Sequence, residues 1–403
     1  MSKKNLACLA AAGATLAFGA GIAQAAPEAA RLVPPPIVMP AHTGFMKLLQ
    51  LLTFFMHLVA VNILLGSMLL AVTDRRVSAP DWQGEAAFMP KVLALAVNFA
   101  IAPFLFLQVL YGNFLYSGTL LMAVWWLSIF LLVMFAYYGL YVSAAASTPL
   151  SHSLPLAVAA LLILFTAFIL TNASTLMARP DLWFAWFSRP NGMILNFGDP
   201  TLFPRYLHMV IASLAVGGLT MAWRAHRSKR SRTTDTAEAD ARITRGFDWF
   251  FFSSLAQAPV GLLFFFTLPA DIRSLFLGGS VLYTLSLPLA LAGFVVALFL
   301  ARQRRLKYTT VATLCVIFLM VCIRALVREA SLYPYIEAVA PRAVDISMPH
   351  GQDAALALFL FCALAGAAAV FWMIRVLAKA SSRAGGTLVN APGRDSGATA
   401  REG

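Results

Sequence analysis

"LLTFFMHLVAVNILLGSMLLAV", residues 51–72, decides the fold class. The stretch holds no Asp, Glu, Lys or Arg. As a helix rising about 1.5 Å per residue it is about 33 Å long, enough to cross the roughly 30 Å hydrocarbon core of a bilayer. Its single ionisable group is His57. An imidazole in hydrocarbon is costly, and such residues mark functional sites by default.

The rest of the chain repeats the pattern. Of 403 residues, 60% are hydrophobic and 12% charged, against roughly a quarter charged in soluble domains. Stretches long and apolar enough to span fall at 46–73, 89–110, 117–141, 155–172, 203–223, 248–267, 281–301, 308–327 and 354–376. The expected fold is therefore an all-α integral membrane protein with about nine transmembrane helices. Residues 1–25 read as a signal peptide: Lys3 and Lys4, an apolar stretch, then "AQA". Residues 26–45 form an exported Pro-rich lead-in, 46–378 the membrane bundle, and 379–403 a disordered Gly- and Ser-rich cytoplasmic tail.

A net charge of +13 raises nucleic-acid binding, but the cations are placed by topology. With the N-terminus outside, the inward segments 74–88, 142–154, 224–247, 302–307 and 375–403 carry eighteen Lys and Arg, and the outward ones seven. This obeys the positive-inside rule and gives an N-out, C-in chain. The stretch "WRAHRSKRSRTTDTAEADARITRG" is then a topogenic cytoplasmic loop, and no nucleic-acid partner is expected. The lipid bilayer is the expected surrounding, and a bacterial cytoplasmic membrane the expected location. Cys8, Cys315, Cys322 and Cys362 form no CxxC or CxxCH, so disulfide, zinc and covalent c-type haem sites lack support.

Functional groups within the spans are His57, His208, and Arg324, Arg328 and Glu329 toward the outer end of span 8. No Asp or Glu lies in the interior of another span, which argues against a proton-coupled pump. Counting from span ends puts His57 and His208 roughly 6 and 7 Å below the outer boundary, with Glu329 near the same face. Neutral imidazoles in a helical bundle suit haem iron; they equally suit hydrogen bonds between helices. Arg324 and Arg328, four apart on one helix face, suit a pair of haem propionates or snorkelling to outer headgroups. Two long outward segments are expected, 173–202 and 328–353. The tryptophans of the first fit an interfacial belt or a cap over a cofactor. His42, His152, His226 and His350 stand in loops or at helix ends and receive no role.

Four stretches carry a family resemblance. They are "LLTFFMHLVAVNILLGSMLLAVTD" (51–74), "VNFAIAPFLFLQVLYGNF" (97–114), "TNASTLMARP…NFGDPTLFPRYLHMVIASLAVGG" (171–218) and "VREASLYPYIEAVAPRAV" (327–344). Together they resemble, in order and topology, subunit I of the cytochrome bd quinol oxidases over most of residues 44–378. The resemblance implies that His57 ligates a haem of the oxygen-reducing pair, that His208 binds a low-spin haem b, and that Glu329 is a third iron ligand. It also implies quinol as electron donor and a subunit II-like membrane partner.

The chain departs from that pattern at several points. The family's long loop between spans 6 and 7 is reduced to "TLPADIRSLFLGGS"; span 7 has no methionine to complete the low-spin haem. Leu332 and Tyr335 replace an arginine and a tryptophan, and Gln108 stands near a proton-route glutamate. The third helix lacks its carboxylate too. The expected function is thus a bd-like haem b protein carrying electrons near the outer face, between the quinone pool and a partner such as a c-type cytochrome. The alternatives are a true oxygen-reducing oxidase subunit and a haem-free membrane scaffold or transporter. No residue is assigned a catalytic role, and haem d has no support in the sequence.

Overall fold

A computed structural model describes residues 29, 32–34, 42–73, 82–231, 233–339, 354, 357–366, 368–369, 371–373 and 375–376. The expected signal peptide, most of the lead-in, the C-terminal tail and His350 lie outside the described residues. The chain divides into two compact units, Met1–Ile37 with Thr43–Asp345, and Val38–His42 with Ile346–Gly403.

The first unit contains eight helices long and apolar enough to cross a membrane. They are α1 (Thr43–Thr73), α2 (Trp82–Leu121), α3 (Ala123–Ala144), α4 (Pro149–Met177), α5 (Leu202–Ser231), α6 (Thr236–Thr267), α7 (Val281–Arg302) and α8 (Leu306–Val339). In the second unit an apolar helix, Ala357–Met373, falls within the expected ninth span. The protein is an all-α, multi-pass membrane protein, and many of its exposed side chains are apolar. Phe130, Leu161 and Val281 are 74%, 65% and 77% exposed, a cost in water but not in lipid, where a helix needs only its backbone satisfied internally.

Several boundaries depart from the sequence reading. The segment 117–141 was expected as one span, but α2 continues to Leu121 and the chain turns at Met122. No charge or proline marks that turn, so hydropathy alone runs through it. The expected cytoplasmic loop 224–247 is mostly helix, because α5 extends to Ser231 and α6 begins at Thr236. Lys229 and Asp240 pair across this hairpin at 2.6 Å. Solvated charges end the membrane crossing without ending the helix. Likewise 328–339 is no loop: α8 runs on to Val339, so Glu329 and Tyr335 stand on a helix.

α1 is the hub, packing on α2, α4, α5 and α8; α5 pairs with α6, α3 with α4 and α7 with α8. Two glycine crossings set the closest approaches. A Cβ on Gly66 would lie 2.8 Å from the backbone of Gly217, and one on Gly218 2.6 Å from the Gly246 carbonyl. Small residues are what let membrane helices meet backbone to backbone. Around these crossings, Leu64, Met68, Met89, Leu140 and Leu156 fill the contacts of α1–α4. Phe247, Phe250, Ala297 and Ala301 join α6 to α7.

The segment between α4 and α5 packs against α2, α4 and α8. It begins with a 3-10 turn, Pro180–Phe184. Arg179 bonds Asp181 at 2.6 Å and lies 3.9 Å from Asp199, all three largely buried. Burial opposes the Arg179 charge, but the two carboxylates outweigh it and hold its pKa above the usual arginine value. Asn196 donates from its backbone to Asn172 Oδ1 (3.0 Å) and from its side chain to Thr175 Oγ1 (3.2 Å). The chain returns over the α2–α3 turn through Val124 N–H to Gly192 O and Ile194 N–H to Leu121 O, both 3.0 Å. Trp183 is buried against Phe114 and donates to the Leu176 carbonyl at 3.3 Å. It is core rather than part of an interfacial belt.

Candidate functional site

Gln50, Phe54 and His57 recur on α1 at steps of four and three, so they share one helix face. The same holds for Arg324 and Arg328 on α8. The two faces meet. The Arg324 guanidinium lies 4.5 Å from the centre of the Phe54 ring, and Arg328 donates to Gln50 Oε1 at 3.3 Å. Phe55 and Phe318 pack edge to face beside them at 5.6 Å.

His57 is anchored from the other side. Its Nδ1 lies 3.0 Å from the backbone oxygen of Ala96 on α2. A carbonyl oxygen only accepts, so Nδ1 carries the proton and Nε2 keeps its lone pair. That arrangement fixes tautomer and ring orientation, as metal-bound histidines require. Its ring also sits 6.2 Å from that of Phe54, which places an apolar neighbour beside it.

His208 belongs to a second pair of faces. Arg205 precedes it by three residues on α5, and both lie against α6. Arg205 stands 5.2 Å from the Phe264 ring centre. The His208 ring faces Gly261, where a Cβ would come 3.4 Å from its Cε1. His208 Nδ1 is buried and makes no hydrogen bond of good geometry, its polar neighbour being the Gln257 backbone, within reach of a longer bond. A buried polar atom is rarely left so weakly paired, and an imidazole held no more firmly than this keeps coordination capacity.

Glu329 is differently placed. Its carboxylate accepts from Lys47 Nζ at 3.0 Å on α1 and from the Tyr111 hydroxyl on α2. Tyr111 has non-helical backbone angles (φ −138°, ψ 29°) that kink α2, and its ring lies 4.5 Å from the Arg328 guanidinium. Glu329 therefore binds α1, α2 and α8 together, and would act as an iron ligand only after releasing these donors. Among the described residues no three His, Cys, Asp or Glu gather as a metal centre. His57, His208 and Glu329 are thus separate positions, not one three-ligand cluster.

Two residues were missed in the sequence. Lys47 lies within the first expected span, and Arg205 within the fifth, where its charge was counted as an outer-loop cation. The spacing Arg205–His208 was the available signal. The departures from the family pattern also acquire packing reasons: Leu332 and Tyr335 are fully buried with Tyr111, Phe114 and Trp183, and the Tyr335 hydroxyl reaches Asp181 at 3.3 Å.

The residues at hand fit a haem. They offer an imidazole with a fixed tautomer and a free Nε2 at His57, a second buried imidazole at His208, and Arg324 and Arg328, on which no ion pair forms among the described residues. Compared with protein-family models, curated proteins and solved structures, the chain matches none.

Proposed function

We propose that this chain is a cytochrome bd subunit I-like haem b protein that moves electrons near the outer face of a bacterial cytoplasmic membrane. In this reading it has nine spans, with the N-terminus outside and the C-terminus inside. It works between the quinone pool and a redox partner, a c-type cytochrome or a subunit II-like membrane protein. The observation that carries the reading is the His57 imidazole, held through Nδ1 by the Ala96 carbonyl with Nε2 free.

Bound haem b supplies a one-electron iron couple. The chain supplies the rest. His57 and His208 would hold the iron, and Glu329 is a third candidate. Arg324 and Arg328 would hold the haem carboxylates, since planar guanidinium suits carboxylate. Phe54 and Phe55 exclude water, and the α1–α2 contact at Ala96 holds the His57 ring. A buried, apolar surround and the choice of axial ligand are the levers that set potential.

Glu329, the carboxylate beside Arg328, is engaged by Lys47 and Tyr111. This favours electron transfer over oxygen reduction, which consumes protons. The test is a reduced-minus-oxidised spectrum of purified protein beside His57→Ala and His208→Ala. The expected result is haem b bands that each substitution diminishes, with no CO-binding high-spin species. CO binding together with oxygen consumption would select the oxidase reading instead. A colourless wild type, made with haem supplied, would sink the redox reading.

A further inference from the structure

We propose that the groove between α2 and α3 binds the headgroup of a quinone drawn from the bilayer. The inference rests on the quinone-linked reading above and gives that quinone a place. Ala94, Val97 and Asn98 recur on α2 at steps of three and one, and Met134, Tyr137 and Tyr141 on α3 at steps of three and four, so each set forms one helix face. The two faces line a groove of about 420 Å³, within the roughly 300–1,000 Å³ of small-molecule sites. Val97, Met134 and Tyr141 are exposed, so the groove opens toward lipid. A ligand dissolved in the membrane enters it without crossing water.

The groove is apolar except at two points, and both have bonding capacity to spare. Asn98 stands near the middle of the apolar stretch 89–110, about 14 Å from its nearer end, too deep for an interfacial residue. Its Nδ2 donates to the Ala94 carbonyl of its own helix at 2.9 Å; among the described residues its oxygen and its second N–H find no partner. Across the groove, Tyr141 donates to the Tyr137 hydroxyl at 3.5 Å, their rings 5.0 Å apart, and the Tyr137 proton has no acceptor among the described residues. Polar groups in hydrocarbon cost free energy until they are paired, and acyl chains carry nothing to pair with them. A quinone does. Its two carbonyls accept from Tyr137 and Asn98, its reduced form donates to the Asn98 oxygen, and its planar ring suits an aromatic wall.

Position adds an independent argument. Met89, Val92, Leu93 and Ala96 form the opposite, buried face of α2, and the Ala96 carbonyl is the one that holds His57 Nδ1 at 3.0 Å. The same turn of α2 therefore presents the groove on one side and the histidine on the other. One helix, about 10 Å across, separates them.

The test is equilibrium binding of a decyl-tailed benzoquinone to the full-length protein in detergent, with photocrosslinking of its azido derivative located by mass spectrometry. The variants are Asn98→Leu, Tyr137→Phe and Met134→Trp, which fills the groove, with Leu161→Ala, an exposed apolar residue of α4, as control. Wild type and L161A should bind one equivalent saturably and crosslink within α2 and α3. N98L and Y137F should each weaken binding severalfold, and M134W should abolish it; if M134W does not accumulate, the other two decide. Binding that does not saturate, that crosslinks elsewhere, or that survives the substitutions overturns the site. So does a groove that takes only phospholipid, or one whose filling by M134W dissociates a dimer and leaves quinone binding unchanged. Haem is read separately, from the spectrum. Intact haem bands without quinone binding overturn the groove and leave the haem reading standing, whereas a colourless protein that binds quinone at α2 and α3 overturns the haem reading and keeps the groove.

Discussion

Gly66→Ala tests whether the α1–α5 crossing sets the spacing of the two candidate ligands. An alanine Cβ at 66 would lie 2.8 Å from Cα and N of Gly217, and nearer still to the Ser213 carbonyl oxygen. Carbon atoms pack at about 3.5–4.0 Å, so the two backbones must part by roughly 0.7 Å or more. Neither helix can yield through a side-chain rotamer, because both sides of the contact are backbone. Overpacking of this kind costs typically 1–3 kcal/mol; with main chain on both sides, about 3 kcal/mol is expected, roughly a hundredfold in the folding equilibrium. The crossing lies nine residues from His57 along α1 and nine from His208 along α5, about 13 Å in each case. Wedging it open tilts both histidine-bearing segments. The assay pairs thermal unfolding in detergent with haem content. Gly198→Ala, where a Cβ meets nothing within 4 Å, is the control. A G66A protein as stable and as haem-loaded as wild type would refute the argument that this contact positions the site.

Other outcomes follow from the same structure. Arg179→Leu strips the buried Asp181 of its guanidinium and leaves it only the Tyr335 hydroxyl, a loss of about 3–5 kcal/mol; limited proteolysis should then cut between 178 and 201, and unchanged protection would count against the ion-pair account. Lys47→Met removes a partly exposed partner of Glu329 and should change stability by less than about 1 kcal/mol. Glu329→Leu should be costlier, about 1–3 kcal/mol, because the buried Tyr111 loses its acceptor; equal melting temperatures for the two variants would contradict this. Ser143→Ala deletes the 2.6 Å bond between its hydroxyl and His152 Nδ1 at the α3–α4 turn. It should lower stability by about 1 kcal/mol without altering any haem band.

How much was legible in advance depends on the kind of information each feature carries. The eight long helices were readable because lipid imposes a length and a composition on any segment that crosses it. Their ends were less so. Helix α8 passes Arg328 and Glu329 without a break, since those charges find partners on α1 and α2 rather than water. The α2–α3 turn at Met122 was invisible because both sides of it are equally apolar. The tryptophans of 173–202 read as an interfacial belt or a cap over a cofactor, and burial against Phe114 is what makes Trp183 core.

The sequence by itself determined the membrane class, the approximate spans, the charge asymmetry of the loops, and the short list containing His57, His208, Arg324, Arg328 and Glu329. Each follows from one-dimensional periodicity and the cost of polarity in hydrocarbon. Only the tertiary structure decided partners: Ala96 O fixing the His57 tautomer, Lys47 and Tyr111 claiming Glu329, and Phe54 and Gln50 receiving Arg324 and Arg328. Those contacts join residues up to 282 positions apart. They depend on which helices are neighbours, and close approach at Gly66–Gly217 and Gly218–Gly246, not hydropathy, is what makes α1, α5 and α6 neighbours.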